Sequence, residues 1–208
     1  MPVISAERAN SRRRAILESA AKVFVRKGYA SASISEIADI AGVSDGLIYR
    51  YFNNKRALLD TVLSDFFEKI VTKLESAAVD EADFEVKVRN LISQHLTSYL
   101  EDLDFCRFFV SDVRSASDYH GSPIQKLNRR YTRIFVRVLE EGIAGGRMKP
   151  DLDARLVRDF VFGAVEHVAW RHAITGRAID INDFARQLTE ITLSGISVGA
   201  KRASSRAR

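Results

Sequence analysis

One cysteine, Cys106, stands alone among 208 residues. An intramolecular disulfide and a cysteine metal cluster are therefore excluded. Proline occurs only three times, and no stretch sustains the period-two alternation of a strand, which favours an all-helical protein. No apolar run follows the start, so no secretory signal is expected. The longest stretch without a charge, Asn90 to Leu100, is too short to span a bilayer. A cytoplasmic protein is the expectation. Catalytic patterns are missing as well. The four histidines, His95, His120, His167 and His172, show no i, i+4 pairing and no H-E-x-x-H, and neither a glycine-rich phosphate loop nor G-x-S-x-G occurs. Neither enzyme activity, cofactor nor metal is expected.

What is present is ordinary globular composition, 46% hydrophobic and 28% charged, with an uneven charge. Residues 1–56 hold ten Lys/Arg against five Asp/Glu, whereas residues 57–200 hold eighteen against twenty-two. A duplex phosphate backbone attracts the first segment and not the second. Four more basic residues fall in 201–208, a polar tail expected to be disordered.

The basic segment contains S-I-S-E-I-A-D-I-A-G-V-S-D-G-L-I-Y-R-Y-F-N-N-K, residues 33–55. Ser33 and Glu36 have the spacing of a capping box. Ile34, Ile37, Ala38 and Ala41 then fall on one helical stripe. Gly42 suits the left-handed residue that ends such a helix, and Ser44 or Asp45 can cap a second one running to about Tyr51. Two helices around a short glycine-containing turn form a helix-turn-helix, whose second helix lies in the DNA major groove. Ahead of it, residues 1–10 read as loosely ordered. Arg8, Arg12, Arg13 and Arg14 form a basic cluster able to touch phosphates, or simply to be solvated, and a first helix runs from about Ser11 to Lys27, ending at Gly28.

The later periodicities place a helix over 55–78, more than 30 Å long at about 1.5 Å per residue, then a hinge at 79–83 and helices over 84–101 and 105–114. The loop 115–123 precedes helices over 123–144, 154–175 and 181–198. The division expected is a DNA-binding domain at 1–56, a larger domain at 57–200 and the tail at 201–208. The helix at 154–175 is apolar almost all round, as expected of one buried on more than one side. A two-fold homodimer packing 154–175 and 181–198 against their copies would bury it.

The chain resembles the TetR family of transcriptional regulators. The resemblance rests on the helix ending at Gly28, on Ile37-Ala38, on Ala41-Gly42-Val43-Ser44, and on Gly46 through Lys55 (G-L-I-Y-R-Y-F-N-N-K) leading into Leu58-Leu59. Three stretches, 140–148, 157–170 and 194–196, are similar to the FadR-type branch, which controls fatty-acid degradation and answers to long-chain acyl-CoA. The resemblance implies a dimeric repressor that a small apolar or amphipathic ligand releases from its operator. Two alternatives stand beside it: a regulator answering to another ligand class, such as a drug or an aromatic compound, and an acyl-CoA-binding helical protein with no DNA role.

Carried onto this sequence, the resemblance places Ser35, Asp45, Gly46, Leu47 and Tyr51 at base edges, and Ser33, Ser44, Tyr49 and Lys55 at phosphates. Serine hydroxyls and lysine suit phosphate oxygens. Gly46 permits close approach, and Leu47 suits a thymine methyl. Asp45 is equally a cap, and Tyr49 equally a core residue. For the effector, the aromatic density of the body marks Tyr99, Phe105, Phe108, Phe109, Tyr131, Phe135, Phe162 and Trp170, any of which is also plausible plain core. Glu166 accompanies them as a polar group able to hydrogen-bond a ligand, or else to lie, with His167, at the dimer interface. Lys126, Arg130, Arg133 and Arg137 recur along one helix face. They suit an anionic headgroup above an apolar pocket, with Arg130 the effector contact, or else a solvated face.

Overall fold

The computed structural model describes residues 2–78 and 83–196, with side chains from residue 7 to 195. The expected hinge at 79–83, except Asp83, and the expected tail at 201–208 lie outside the described residues. Among those described, nine α-helices occur: α1 Pro2–Ser31, α2 Ile34–Ala41, α3 Asp45–Tyr51, α4 Lys55–Ala78, α5 Phe84–Glu101, α6 Leu103–Phe108, α7 Pro123–Ala144, α8 Ala154–Thr175 and α9 Ile181–Ile196. A π-helical segment, Phe109–Arg114, follows α6 directly. The all-helical expectation is met.

Several helix ends are set by side-chain caps and by left-handed glycines. The Ser33 hydroxyl accepts from the Glu36 amide, and Gly42 closes α2 at φ 66, in the left-handed region. Asn54 accepts from the Ala57 amide at the head of α4. Asp153 caps α8 through the amides of Arg155 and Leu156, and Gly176 ends it. Asp180 accepts from the Asp183 amide at the start of α9.

Two expectations about α1 are corrected. Residues 2–10 are helical rather than loose. The tyrosine hydroxyl of Tyr51 donates to the Ala9 carbonyl at 3.4 Å, and the Arg13 guanidinium lies 5.7 Å over the Phe52 ring. These contacts from α3 and its end hold the early turns. Helix also resumes after Gly28, which interrupts α1 with φ 77 and ψ 162. A Cβ at that position would stand 2.6 Å from Oδ1 of Asp112 and displace that carboxylate, and the positive φ itself favours glycine.

The chain's compact units do not follow the expected division at residue 56. One unit comprises Met1–Ile70 with Asp102–Arg129, the other Val71–Glu101 with Arg130–Arg208. The cause is aromatic. Phe24 on α1 has no exposed surface, and its ring stacks on Phe108 of α6 at 6.2 Å. From α4, Phe66 stacks on Phe105 at 4.3 Å and Phe67 meets Phe109 edge-on at 5.0 Å. The helix-turn-helix alone leaves these rings uncovered; α6 and the π-helical turn cover them.

The second unit is built on α5. Its Val88, Leu91, Ile92, His95 and Leu96 are buried, and α5 packs against both α8 and α9. Helix α8 is not enclosed all round. Ala154, Val157, Val161, Val165 and Ala169 are buried, while the opposite face carries Leu156, Phe160, Gly163, His167, Trp170 and Ile174, all exposed. Ile191 of α9 is 60% exposed.

Candidate nucleic-acid interface and effector region

In the first unit, Ile48 is the one fully buried residue of α3. It anchors the helix and leaves the rest available. Ser44 is the cap, accepting from the Leu47 amide at 3.3 Å. Asp45 is therefore released from capping, and its carboxylate instead accepts from the Ser35 hydroxyl at 2.6 Å. This bond joins the start of α2 to the start of α3 through two residues expected at base edges. Tyr49 is 53% exposed, which removes its core reading. Ser33, Ser35, Ser44 and Gly46 are exposed, and Asp45, Leu47 and Tyr51 are half-buried. A Cβ at Gly46 meets no atom within 4 Å. On α3 itself the exposed candidates are Gly46 and Tyr49, with Ser44 exposed at its cap.

Glu36 does not complete the capping box. Its carboxylate takes the Lys27 ammonium at 2.8 Å and the Arg26 guanidinium. The hydrogen bond from Lys27 leads the effects that hold its pKa below the ordinary carboxylate value. The pairs tie the end of α1 to the first turn of α2, replacing a local contact by one made across the fold.

Lys55 is the main correction in this unit. Its ammonium donates to the carbonyls of Tyr29 at 2.9 Å, Ala30 at 3.3 Å and Ala32 at 2.9 Å, and lies 4.6 Å over the Tyr29 ring. A lysine has three donors, and all three are committed to the carboxyl end of α1, where a cation is also favoured by the helix dipole. Lys55 holds α4 to α1 rather than presenting its charge to a phosphate. Lys55→Met should lower stability by roughly 1.5–3 kcal/mol, the range for hydrogen bonds to a charged group. Urea unfolding checks it; an unchanged midpoint removes the clamp.

Arg50 is not among the residues the resemblance places on DNA; its sequence reading is a pairing with a neighbouring carboxylate. It is exposed on α3 and has no ion pair among the described residues. A cation next to Tyr49 on the presumptive reading helix was the available signal.

The ten effector candidates fall in both units. Phe105, Phe108 and Phe109 serve as core of the first, in the ring contacts described above. In the second unit, Tyr99, Tyr131, Phe135 and Phe162 gather around a residue not expected there, His95. The imidazole is 2% exposed. It stacks on Phe162 at 3.9 Å, faces Tyr99 edge-on at 5.3 Å and lies 5.5 Å from the Tyr131 ring. Nδ1 pairs with the Tyr131 hydroxyl, and no protein atom pairs with Nε2. Burial pushes the His95 pKa down to about 3, so the ring is neutral. An unpaired buried donor or acceptor costs roughly 1–3 kcal/mol and is rare in native proteins. Phe162 also meets Phe135 at 5.6 Å, and is only half-buried. The signal for His95 was its place at i+7 from Val88 on an otherwise apolar stripe.

Arg130 is exposed and lies 3.6 Å from the Glu75 carboxylate. Glu166 is half-buried and Trp170 is 47% exposed. Arg133 pairs with Glu140 at 3.2 Å, and Lys126 and Arg137 are exposed. Among the described residues no helix is long and apolar enough to cross a membrane, and no cluster of ligating side chains could hold a metal.

Comparison with known proteins places these features. The sequence pattern of bacterial regulatory proteins of the tetR family matches residues 16–62, and that of the tetracyclin repressor-like C-terminal domain matches residues 81–196. A fatty acid metabolism regulator protein of Bacillus subtilis is 27% identical over 181 residues, covering 87% of this chain and 93% of its own. The crystal structure of the transcriptional regulator FadR from Bacillus subtilis in complex with stearoyl-CoA is similar with a TM-score of 0.76 and 27% identity, over 88% of this chain and 98% of that one. The ketosteroid transcriptional regulator KstR2 of Mycobacterium tuberculosis is similar with a TM-score of 0.67 and 26% identity, over 91% and 97%. This chain, with its helix-turn-helix at α2–α3, belongs to the TetR family of bacterial regulatory proteins.

Proposed function

We propose that the protein is a homodimeric repressor that binds a palindromic operator and leaves it when a long-chain acyl-CoA occupies the second unit. The observation that carries the reading is the similarity, over most of both chains, to a regulator crystallised with stearoyl-CoA. The residues are compatible with such a ligand. Tyr99, Tyr131, Phe135 and Phe162 supply an aromatic interior for a hydrocarbon chain, and the exposed cations of α7 suit phosphates. The α3 face, with Ser35 and Asp45 joined and Gly46, Leu47 and Tyr51 beside them, reads base edges. Ser33, Ser44 and Tyr49 take phosphates, and Arg50 adds a further cation. Two copies meet through the exposed faces of α8 and α9. Isologous pairing of this kind explains Leu156, Phe160, Trp170, Ile174 and Ile191 in solvent. Ligand binding couples to DNA binding because the two states of the protein differ in affinity for both partners.

The test is selection of genomic fragments by the purified protein, followed by fluorescence anisotropy on the recovered sequence. An inverted repeat should be enriched, and stearoyl-CoA should weaken its binding at least tenfold. Recovery of fragments with no shared repeat sinks the operator reading. A repeat whose binding ignores every acyl-CoA sinks the ligand.

A further inference from the structure

We propose that the effector carries a hydrogen-bonding oxygen on its hydrocarbon or ring portion, and that Nε2 of His95 receives it, making His95 the residue by which the second unit distinguishes an oxygenated ligand from a saturated one. The inference rests on the effector reading above and narrows it. His95 sits on α5 within Tyr99, Tyr131, Phe135 and Phe162, the rings that give the second unit its aromatic interior. An interior meant only for alkyl chain has no use for an imidazole. The one present is fully buried and neutral, with Nδ1 fixed by the Tyr131 hydroxyl and Nε2 facing no protein partner.

Tyr131 sets what Nε2 can do. When the phenol donates to Nδ1, Nε2 carries the hydrogen and donates, which suits a carbonyl or a hydroxyl oxygen. When Nδ1 donates to the phenol, Nε2 accepts, which suits a hydroxyl alone. A hydroxyl therefore fits both tautomers. Phe162 covers the imidazole from α8 and is itself partly exposed. Rotation of that one ring makes room beside the imidazole without dismantling the core of α5, and a ligand oxygen that pairs with Nε2 lies in the imidazole plane, at the ring edge rather than over its face. A saturated chain lying there leaves Nε2 unpaired in the bound state, and sites built to pair a ligand oxygen reject the analogue that lacks it.

The experiment is titration calorimetry of the full chain with stearoyl-CoA, its 3-hydroxy and 3-oxo derivatives, and chain-hydroxylated and chain-oxo stearoyl-CoA. The wild type and the His95→Leu/Tyr131→Phe double variant, which leaves no phenol unpaired, are compared. The wild type should bind at least one oxygenated thioester tenfold or more tighter than stearoyl-CoA. The double variant should lose that preference, the ratio of oxygenated to saturated affinity falling to near one whatever its overall affinity. Imidazole 15N spectra of the wild type give a second readout that needs no variant, since the Nε2 resonance of His95 should move with the preferred ligand and stay put with stearoyl-CoA. Equal binding of all thioesters by the wild type, or an Nε2 resonance that no ligand moves, overturns the role of His95 and leaves the acyl-CoA reading standing. A wild type that binds none of them overturns both.

Discussion

Phe24→Ala should destabilise the first unit by roughly 3–5 kcal/mol, the range for emptying a fully enclosed phenylalanine site. Phe24 has no exposed surface, stacks on Phe108 and lies 5.9 Å from the Tyr29 ring. The cavity cannot close easily, because Tyr29 is also covered by the Lys55 ammonium and its carbonyl is held by it. Folded domains have only about 5–15 kcal/mol in hand, so the loss is a large share of the total. Helical circular dichroism followed through urea should show an earlier transition. DNA affinity should fall with it, because α1 packs on α2 and orients the reading helices. Phe24→Leu retains most of the volume and should recover more than half of the loss. A Phe24→Ala protein with an unchanged midpoint would mean that α6 does not stabilise the head.

Phe160→Glu should turn the proposed dimer into a monomer while leaving the chain folded. Phe160 is 53% exposed in the single chain, on the face of α8 opposite its buried side. Exposed positions away from special features usually change stability by only about 0.5 kcal/mol. In a two-fold interface the same carboxylate enters twice, and each copy would be taken from water without a partner. A hot-spot residue near the centre of an interface is worth about 2 kcal/mol or more; two copies give about 4 kcal/mol, close to a thousandfold in dissociation constant. Sedimentation velocity at micromolar concentration should show one species of half the mass. Operator affinity should drop further than for any single α3 substitution, because two linked heads bind far better than either alone. A Phe160→Glu protein that sediments as a dimer places the contact elsewhere.

Helix positions were legible in the sequence wherever a cap was local. Ser33, Gly42, Asp153, Gly176 and Asp180 act within four residues of themselves, and the bounds of α2, α8 and α9 follow from them. What escaped depends on partners distant in sequence. The early turns of α1 are held by Tyr51 and Phe52, about forty residues away. Glu36 has a short-range partner by spacing and takes Lys27 and Arg26 instead. Lys55 carries the right charge for a phosphate, and only the fold reveals three carbonyls around it. The aromatic residues were found as a group but not assigned, because periodicity says that Phe105 and Phe162 face inward and not which interior each one fills. His95 was visible as a polar residue on an apolar stripe, and its meaning lies in an unpaired nitrogen that no spacing encodes.

The exposed face of α8 has an optical consequence. Trp170, the one tryptophan in the chain, stands on that face with 47% of its surface in water. Its indole is therefore a native fluorophore placed where two copies would meet. Emission near the wavelength of a hydrated indole reports a lone chain, and a shift to the blue reports a covered one. The protein can be followed from subunit to assembly by its own light, without a dye, a tag or an added residue.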